Sequence, residues 1–320
     1  MTVRRRFLVA SALALVSVVR AQSTRKPAVV GFLTLGGVDS LAQFRSTMRE
    51  LGFEEGRNLV IQRRSSEGTV AALPQLAAEL VRLEVDIIYA TGPAAVKAAH
   101  GATTRIPIVA LDLETDPVAA GLVQNLGRPG GNVTGLFLDQ PALAGKWLEL
   151  LVQLLPGRKR MTALWDIATG EPQLAAARAA AQGFGVDLRV AEFRTADTML
   201  QQLALIADAR TQAVAMLTSP IISVNSQRIA EWSLRHRLPA ISPFRAFADG
   251  GGLLSYGPDL VAFRRISATY VDRILRGANV AELPVQQPTL FQLVVNQKTA
   301  KAIGVTVPQA LLLRADEVIA

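Results

Sequence analysis

Short apolar runs rich in Val, Ile and Leu alternate with Ala- and Leu-rich helical stretches along most of the chain, and this alternation constrains the fold more than any other feature. Candidate strands are "AVVGFLTL" (28–35), "LVIQRRS" (59–65), "VDIIYAT" (85–91), "IPIVALDL" (106–113) and "NVTGLFL" (132–138). A second series follows: "MTALWDI" (161–167), "VDLRVAEF" (186–193), "AVAMLTS" (213–219), "LPAISPF" (238–244) and "GGLLSYG" (251–257). Helices are predicted between them, among others at 40–52, 71–83, 141–155, 173–183 and 197–209. Strands that are apolar on both faces need cover on both faces. The pattern therefore predicts parallel sheets sandwiched between helices.

The two series follow one plan. "IIYATGPAAV" has a counterpart in "VAMLTSPIIS", with Thr91 and Thr218 127 positions apart. "IPIVALDLETDP" has one in "LPAISPFRAF", with Pro107 and Pro239 132 positions apart. The order is the same and the identity between halves is low, so the similarity is one of organisation. The expectation is an α/β protein of two doubly wound, Rossmann-like lobes of similar size.

Several strands run into a small or polar residue followed by proline: Gly92-Pro93, Asp116-Pro117, Glu171-Pro172, Ser219-Pro220, Ser242-Pro243 and Gly257-Pro258. Proline suits the first helical position, where its missing N–H has no partner to lose, and Ser or Asp before it can cap. Each pair is thus expected to open a helix at the carboxyl end of a strand, the edge where open α/β sheets hold ligands. Free N–H groups and the positive end of the helix dipole suit an anionic group there. Two lobes facing each other across these edges would share one cleft, and Asp116 would then be more than a cap.

The N-terminus reads as an export leader. Arg4, Arg5 and Arg6 precede an apolar run from Phe7 to Val19, too short to span a bilayer, and Val19-Arg20-Ala21 places small residues where a signal peptidase reads. Residues 1–21 are expected to be a signal peptide, and Arg4-Arg5-Arg6-Phe7-Leu8 also fits a twin-arginine signal. The competing reading is an uncleaved N-terminal anchor. Taking away the leader's four arginines lowers the formal charge from +8 to +4, spread without a long basic run, which argues against a nucleic-acid partner. The densest basic cluster, "GRKR" at 157–160, falls between a helix and a strand.

Catalytic signals are few. With no Cys, disulfides, thiolate metal sites and Cys nucleophiles are excluded. The two histidines, His100 and His236, fall at expected helix C-termini, where a cation is favoured. "GGLLSYG" has Leu253 where a nucleophile elbow needs glycine, no phosphate-binding loop occurs, and "GFLTLGG" lacks dinucleotide spacing. Asp112, Glu114 and Asp116 alternate at one strand end and could hold Mg²⁺, but no fourth oxygen donor lies nearby in sequence. No metal and no cofactor are expected. Trp165, beside Asp166, is read as core, with cover for an apolar ligand side chain as the alternative.

Several stretches together resemble the substrate-binding proteins of ABC transporters, in the family that includes tryptophan- and tyrosine-type receptors. They are "FRSTMRELGFEEGRNLVIQRR", "LAAELVRLEVDIIYATGPAAVKAA", "TDPVAAGLVQNLGRPGGNVTG", "LLSYGPD" and the tail "LPVQQPTLFQLVVNQKTAKAIGVTVPQALLLRADEVI". The resemblance implies a type I periplasmic-binding architecture with three crossovers. The boundaries expected from it are residues 27–138 and 257–283 for lobe 1, and 139–256 and 284–320 for lobe 2. It also implies ligand contacts from Leu35, Gly36, Thr91, Gly92, Pro93, Ala94, Thr115 and Asp116 in lobe 1. In lobe 2 it implies the 166–170 turn, with Asp166 and Thr169, and the turn of Thr218, Ser219 and Pro220. Relatives that bind aromatic amino acids often carry an Asn-Ser-Ser-Glu-type stretch and a Thr-Asp-Asn-type turn where this chain has "DIATGEP" and "LTSP".

The expectation is a periplasmic, monomeric binding protein. It would capture a small solute, an amino acid or another small carboxylate, by hinge closure and present it to a membrane permease. Asp116 or Asp166 would pair an ammonium. Two other classes stay open: a ligand sensor for a membrane receptor kinase, and an α/β enzyme using Asp112, Glu114 and Asp116.

Overall fold

The computed structural model describes residues 26–36, 39–138 and 140–320. The expected leader, 1–21, and the expected boundary at Asp139 lie outside the described residues.

The chain builds its first sheet from β1 (Ala28–Thr34), α1 (Asp39–Glu50), β2 (Leu59–Ser65), α2 (Leu73–Arg82), β3 (Ile87–Thr91), α3 (Pro93–Ala102), β4 (Ile108–Asp112) and β5 (Val133–Phe137). The strand order is β2-β1-β3-β4-β5, and every pairing is parallel. Alternate side chains feed two cores. Ile88 and Ala90 pack under α2 and α3, with Leu80, Val96 and Ala99. Ile87 and Tyr89 pack on the other face with Phe32, Phe44 and Met48. The period of two along a strand buried on both sides accounts for the run of β-branched residues.

The second sheet follows from α4 (Gln140–Leu154), β6 (Arg160–Asp166), α5 (Pro172–Phe184), β7 (Asp187–Phe193), α6 (Ala196–Asp208), β8 (Ala213–Met216), α7 (Pro220–Val224), α8 (Ser226–Arg235), β9 (Ala240–Ser242), α9 (Arg245–Asp249) and β10 (Leu254–Pro258). The chain then passes through α10 (Leu260–Leu275) to β11 (Phe291–Asn296), α11 (Gln297–Ile303), α12 (Gln309–Leu312) and β12 (Glu317–Ile319). The sheet order is β12-β11-β10-β9-β8-β6-β7. Its β7-β6-β8-β9-β10 part repeats the plan of the first sheet. The β10–β11 pairing is antiparallel, a departure from the all-parallel expectation. It arises because β11 enters the sheet after an excursion to the other lobe.

That excursion is visible in the packing. α10 leaves the second sheet and lays Phe263, Ala268, Tyr270 and Val271 into the first lobe's core. The Tyr89 hydroxyl meets Ser267 Oγ there at 2.6 Å. Leu283 to Gln286 then run beside β5: Thr134 Oγ1 donates to Leu283 O at 2.6 Å, and Gln286 exchanges hydrogen bonds with Gly135 and Phe137. The chain therefore passes between the lobes after β5, after β10 and before β11.

The proline turns divide. Pro93, Pro172 and Pro220 open α3, α5 and α7 as expected. Pro117 does not open a helix: residues 117–122 form turns, with Ala120 N donating to Asp116 O and Leu122 N to Pro117 O. Pro243 precedes α9 by two residues, and Pro258 ends β10, leaving Asp259 to cap α10 through the N–H groups of Val261 and Ala262. A proline fixes one φ angle; whether a helix follows depends on the residues after it.

Candidate functional site

The carboxyl ends of the two sheets face each other. A Cβ added to Gly92, at the end of β3, would lie 3.9 Å from Pro220 Cγ in the second lobe. Leu113, just past β4, packs against the first lobe's core and against both cores of the second. The cleft is shut.

On the first lobe, Leu35 and Gly36 are partly buried and tied to the loop after β2: Gly68 N and Ser66 Oγ both donate to Leu35 O, and Gly36 exchanges hydrogen bonds with Thr34 Oγ1. Thr91, Gly92, Pro93 and Ala94 are also partly buried and form the entry to α3. Gly92 has φ 84°, a region open to glycine at little cost, and no side chain caps the helix it precedes. The first-turn N–H groups of α3 therefore lack side-chain acceptors.

The turn after β4 holds the acidic residues. Asp112 is fully buried; its Oδ1 accepts from Glu114 N at 2.9 Å and Thr115 N at 3.0 Å. Its Oδ2 is buried without any hydrogen-bond partner. Glu114 is partly buried and accepts from Leu113 N at 3.2 Å. Thr115 is partly buried, whereas Asp116 is exposed and its Oδ1 accepts from Val118 N and Ala119 N. Asp116 is thus an exposed turn cap, and the buried carboxyls of this turn are those of Asp112 and, in part, Glu114.

On the second lobe, Asp166 ends β6 and is 2 % exposed. Its Oδ1 accepts from Ala168 N at 2.9 Å and its Oδ2 from Ser219 Oγ at 2.7 Å. Ser219 in turn accepts from Ile221 N, so one hydroxyl joins the turn after β8 to the turn after β6. Thr218 is buried and its Oγ1 has no partner. Gln173, a residue that sequence reasoning missed, holds the two turns together. Its side chain is buried, donates to Thr169 Oγ1 and to Thr218 O (3.0 Å), and accepts from Thr218 N (2.9 Å). Trp165 is core, with its Nε1 donating to Gly170 O at 3.2 Å.

The electrostatics follow from this crowding. Burial lifts the Asp112 carboxyl above its usual range, against the two backbone N–H groups that hold it down. Glu114 is lifted well above its ordinary value, first by burial, then by the charge of Asp112, with that of Asp166 adding across the cleft. Asp166 is raised by burial, opposed by its bond to Ser219. Among the described residues no lysine or arginine forms an ion pair with any of the three. Nor is any group of three His, Cys, Asp or Glu side chains arranged to hold a metal ion. The arrangement can grip a small molecule with donors on the α3 side and acceptors between the lobes. His100 and His236 lie away from it, in the last turn of α3 and at the end of α8.

Two lobes of one plan, with three passes between them and their carboxyl edges facing, define the type I periplasmic-binding fold. Residues 28–319 match the ABC transporter substrate binding protein family, and the chain belongs to it. A tyrosine-binding protein of Clostridioides difficile (strain R20291) is 24 % identical over 266 residues, covering 81 % of this chain and 75 % of that protein. The structure of an ABC domain in complex with L-Trp from Streptococcus pneumonia superposes with a TM-score of 0.82 at 23 % identity, covering 92 % of this chain and all (100 %) of the other. The ligand-free, open structure of a substrate binding protein with adhesive properties from Clostridium difficile gives a TM-score of 0.63 at 22 % identity, over 88 % of this chain and 96 % of that one. Among the described residues, no helix is long and apolar enough to cross a membrane.

Proposed function

We propose that this protein is the periplasmic solute receptor of an ABC importer, capturing an amino acid or a related small carboxylate between its lobes. The observation that carries the reading is an uncapped helix start at Gly92–Ala94, set against Pro220 of the other lobe, together with buried carboxyls on both lobes at Asp112, Glu114 and Asp166. A carboxylate rests on the N–H groups of the α3 start, where the helix dipole favours it. An ammonium rests on the acidic side. Leu35, Gly36, Thr91, Gly92, Pro93, Ala94 and Thr115 form one wall, and Asp166, Thr169, Thr218, Ser219 and Pro220 the other, with Asp116 at the rim.

Capture works by population shift. The solute touches both lobes only when they are shut, so it binds that state more tightly and draws the equilibrium toward it. The shut form then presents one continuous face to a membrane permease. The relative named a tyrosine-binding protein and the neighbour in complex with L-Trp support an amino-acid ligand, and the arginine-rich start of the chain supports export. A thermal-shift screen against the twenty amino acids and small carboxylates tests the reading. A bound solute raises the midpoint by mass action, and a flat result across the whole set refutes amino-acid capture.

A further inference from the structure

The described contacts leave the acidic side of the cleft without a counter-charge. Asp112 and Glu114 come from one lobe and Asp166 from the other, Glu114 feels the charge of both, and none of the three has a lysine or arginine partner among the described ion pairs. The exposed Arg194 is felt by Asp166 only through space. Asp112 Oδ2 is the sharper sign. An acceptor on a fully buried side chain with no donor is costly to leave unmade, and such atoms are rare in native interiors. Thr218 Oγ1, on the opposing lobe's turn, is the second buried polar atom of the site without a partner. In the empty cleft burial favours the protonated form of these carboxyls; a cation beside them displaces the protons, and one α-ammonium carries a single positive charge for three such groups.

Resting on the capture reading above, we propose that the solute carries a net positive charge: a basic amino acid whose nitrogen cations lie among Asp112, Glu114 and Asp166. Among the described residues no three such side chains are grouped to hold a metal ion, and the counter-ion proposed is an organic cation. A buried charge is tolerated only when paired and hydrogen-bonded, and an ammonium or guanidinium supplies donors for the unpartnered Asp112 oxygen as well as the charge. The same arrangement gives selectivity by differential pairing. A neutral side chain would neither pair these carboxyls nor donate to their unpartnered oxygen, so it gains nothing from them, whereas a cation does both. It also gates closure: Glu114 and Asp166 approach only as the lobes shut, so the empty cleft resists shutting while both are ionised, and a cation removes the resistance.

The test is isothermal titration calorimetry of the protein at neutral pH with L-lysine and L-arginine, their uncharged counterparts L-norleucine and L-citrulline, and L-tryptophan and L-tyrosine. Each is repeated with Glu114→Gln, whose melting midpoint is measured to confirm that it folds. The expected result is binding of lysine or arginine at least tenfold tighter than the uncharged counterpart, with that preference reduced at least tenfold in Glu114→Gln. Equal affinity for charged and uncharged side chains, or tight tryptophan or tyrosine binding that Glu114→Gln leaves unchanged, overturns the inference and leaves amino-acid capture standing. Silence toward all six overturns the inference, and a rise in melting midpoint with any other amino acid then shows whether the capture reading survives it.

Discussion

At the scale of single residues, the acidic turn after β4 sets the pH response of the ligand-free protein. Burial raises Asp112, Glu114 and Asp166 above the ordinary carboxyl range, and the charges of Asp112 and Asp166 raise Glu114 further. The folded chain therefore keeps protons that the unfolded chain has already released. Through the window from the ordinary carboxyl range up to the raised values, the folded state binds more protons than the unfolded one. Stability is then fully present below that window and falls as pH rises through it. Melting midpoints of the ligand-free protein from about pH 4 to about pH 8 should decline more steeply for the native chain than for Glu114→Gln. Parallel profiles would remove Glu114 from the buried set. The sequence made these acids visible as an alternating trio but could not rank them. Asp112 closes a strand that is buried on both faces, whereas Asp116, four residues on, caps its own turn in solvent. Spacing treats the two alike, and only the path of the chain past Leu113 separates them. Gln173 gave no signal at all, since a glutamine in the first turn of a helix is ordinary until the neighbouring lobe-2 turn is placed against it.

At the scale of elements, β1 to β10 were legible because their apolar runs and turn residues are strong local signals; the observed strands lie within the expected ones or overrun them by one residue. The short β11, α11, α12 and β12 were not, because their pairing partner, β10, is set by an excursion of the chain that no local pattern encodes. Close strand packing yields a sharper test. Gly135 in β5 has φ 132°, and a Cβ there would lie 2.2 Å from Ala110 O and 2.6 Å from Ala110 N. The obstacle is backbone of β4, which cannot turn aside. Gly135→Ala should cost about 2–5 kcal/mol, combining overpacking with an unfavourable φ. Urea denaturation reads this directly, and a midpoint equal to that of the native chain would mean β4 and β5 are not so closely paired.

At the scale of the whole molecule, closure depends on a few contacts that belong to both lobes. Leu113 is the clearest, since it touches the cores on either side. Leu113→Ala should remove about 1 kcal/mol of closing free energy, roughly fivefold in apparent affinity, by lowering the share of shut molecules. Small-angle scattering of the variant should show a larger radius of gyration at subsaturating solute, with the melting transition retained. An unchanged affinity and radius would place the closing energy elsewhere.

The three passages between the halves carry a consequence for how this protein can be dissected. Neither half is one uninterrupted piece of chain: the first needs α10 and the segment to Gln286, and the second needs the tail from β11 onward. A gene fragment ending after β5 would expose the surface that α10 covers, and one ending after β10 would leave that strand's outer edge open to pairing with strangers. Nicking a connector once, by contrast, would leave both pieces held in place by the remaining two.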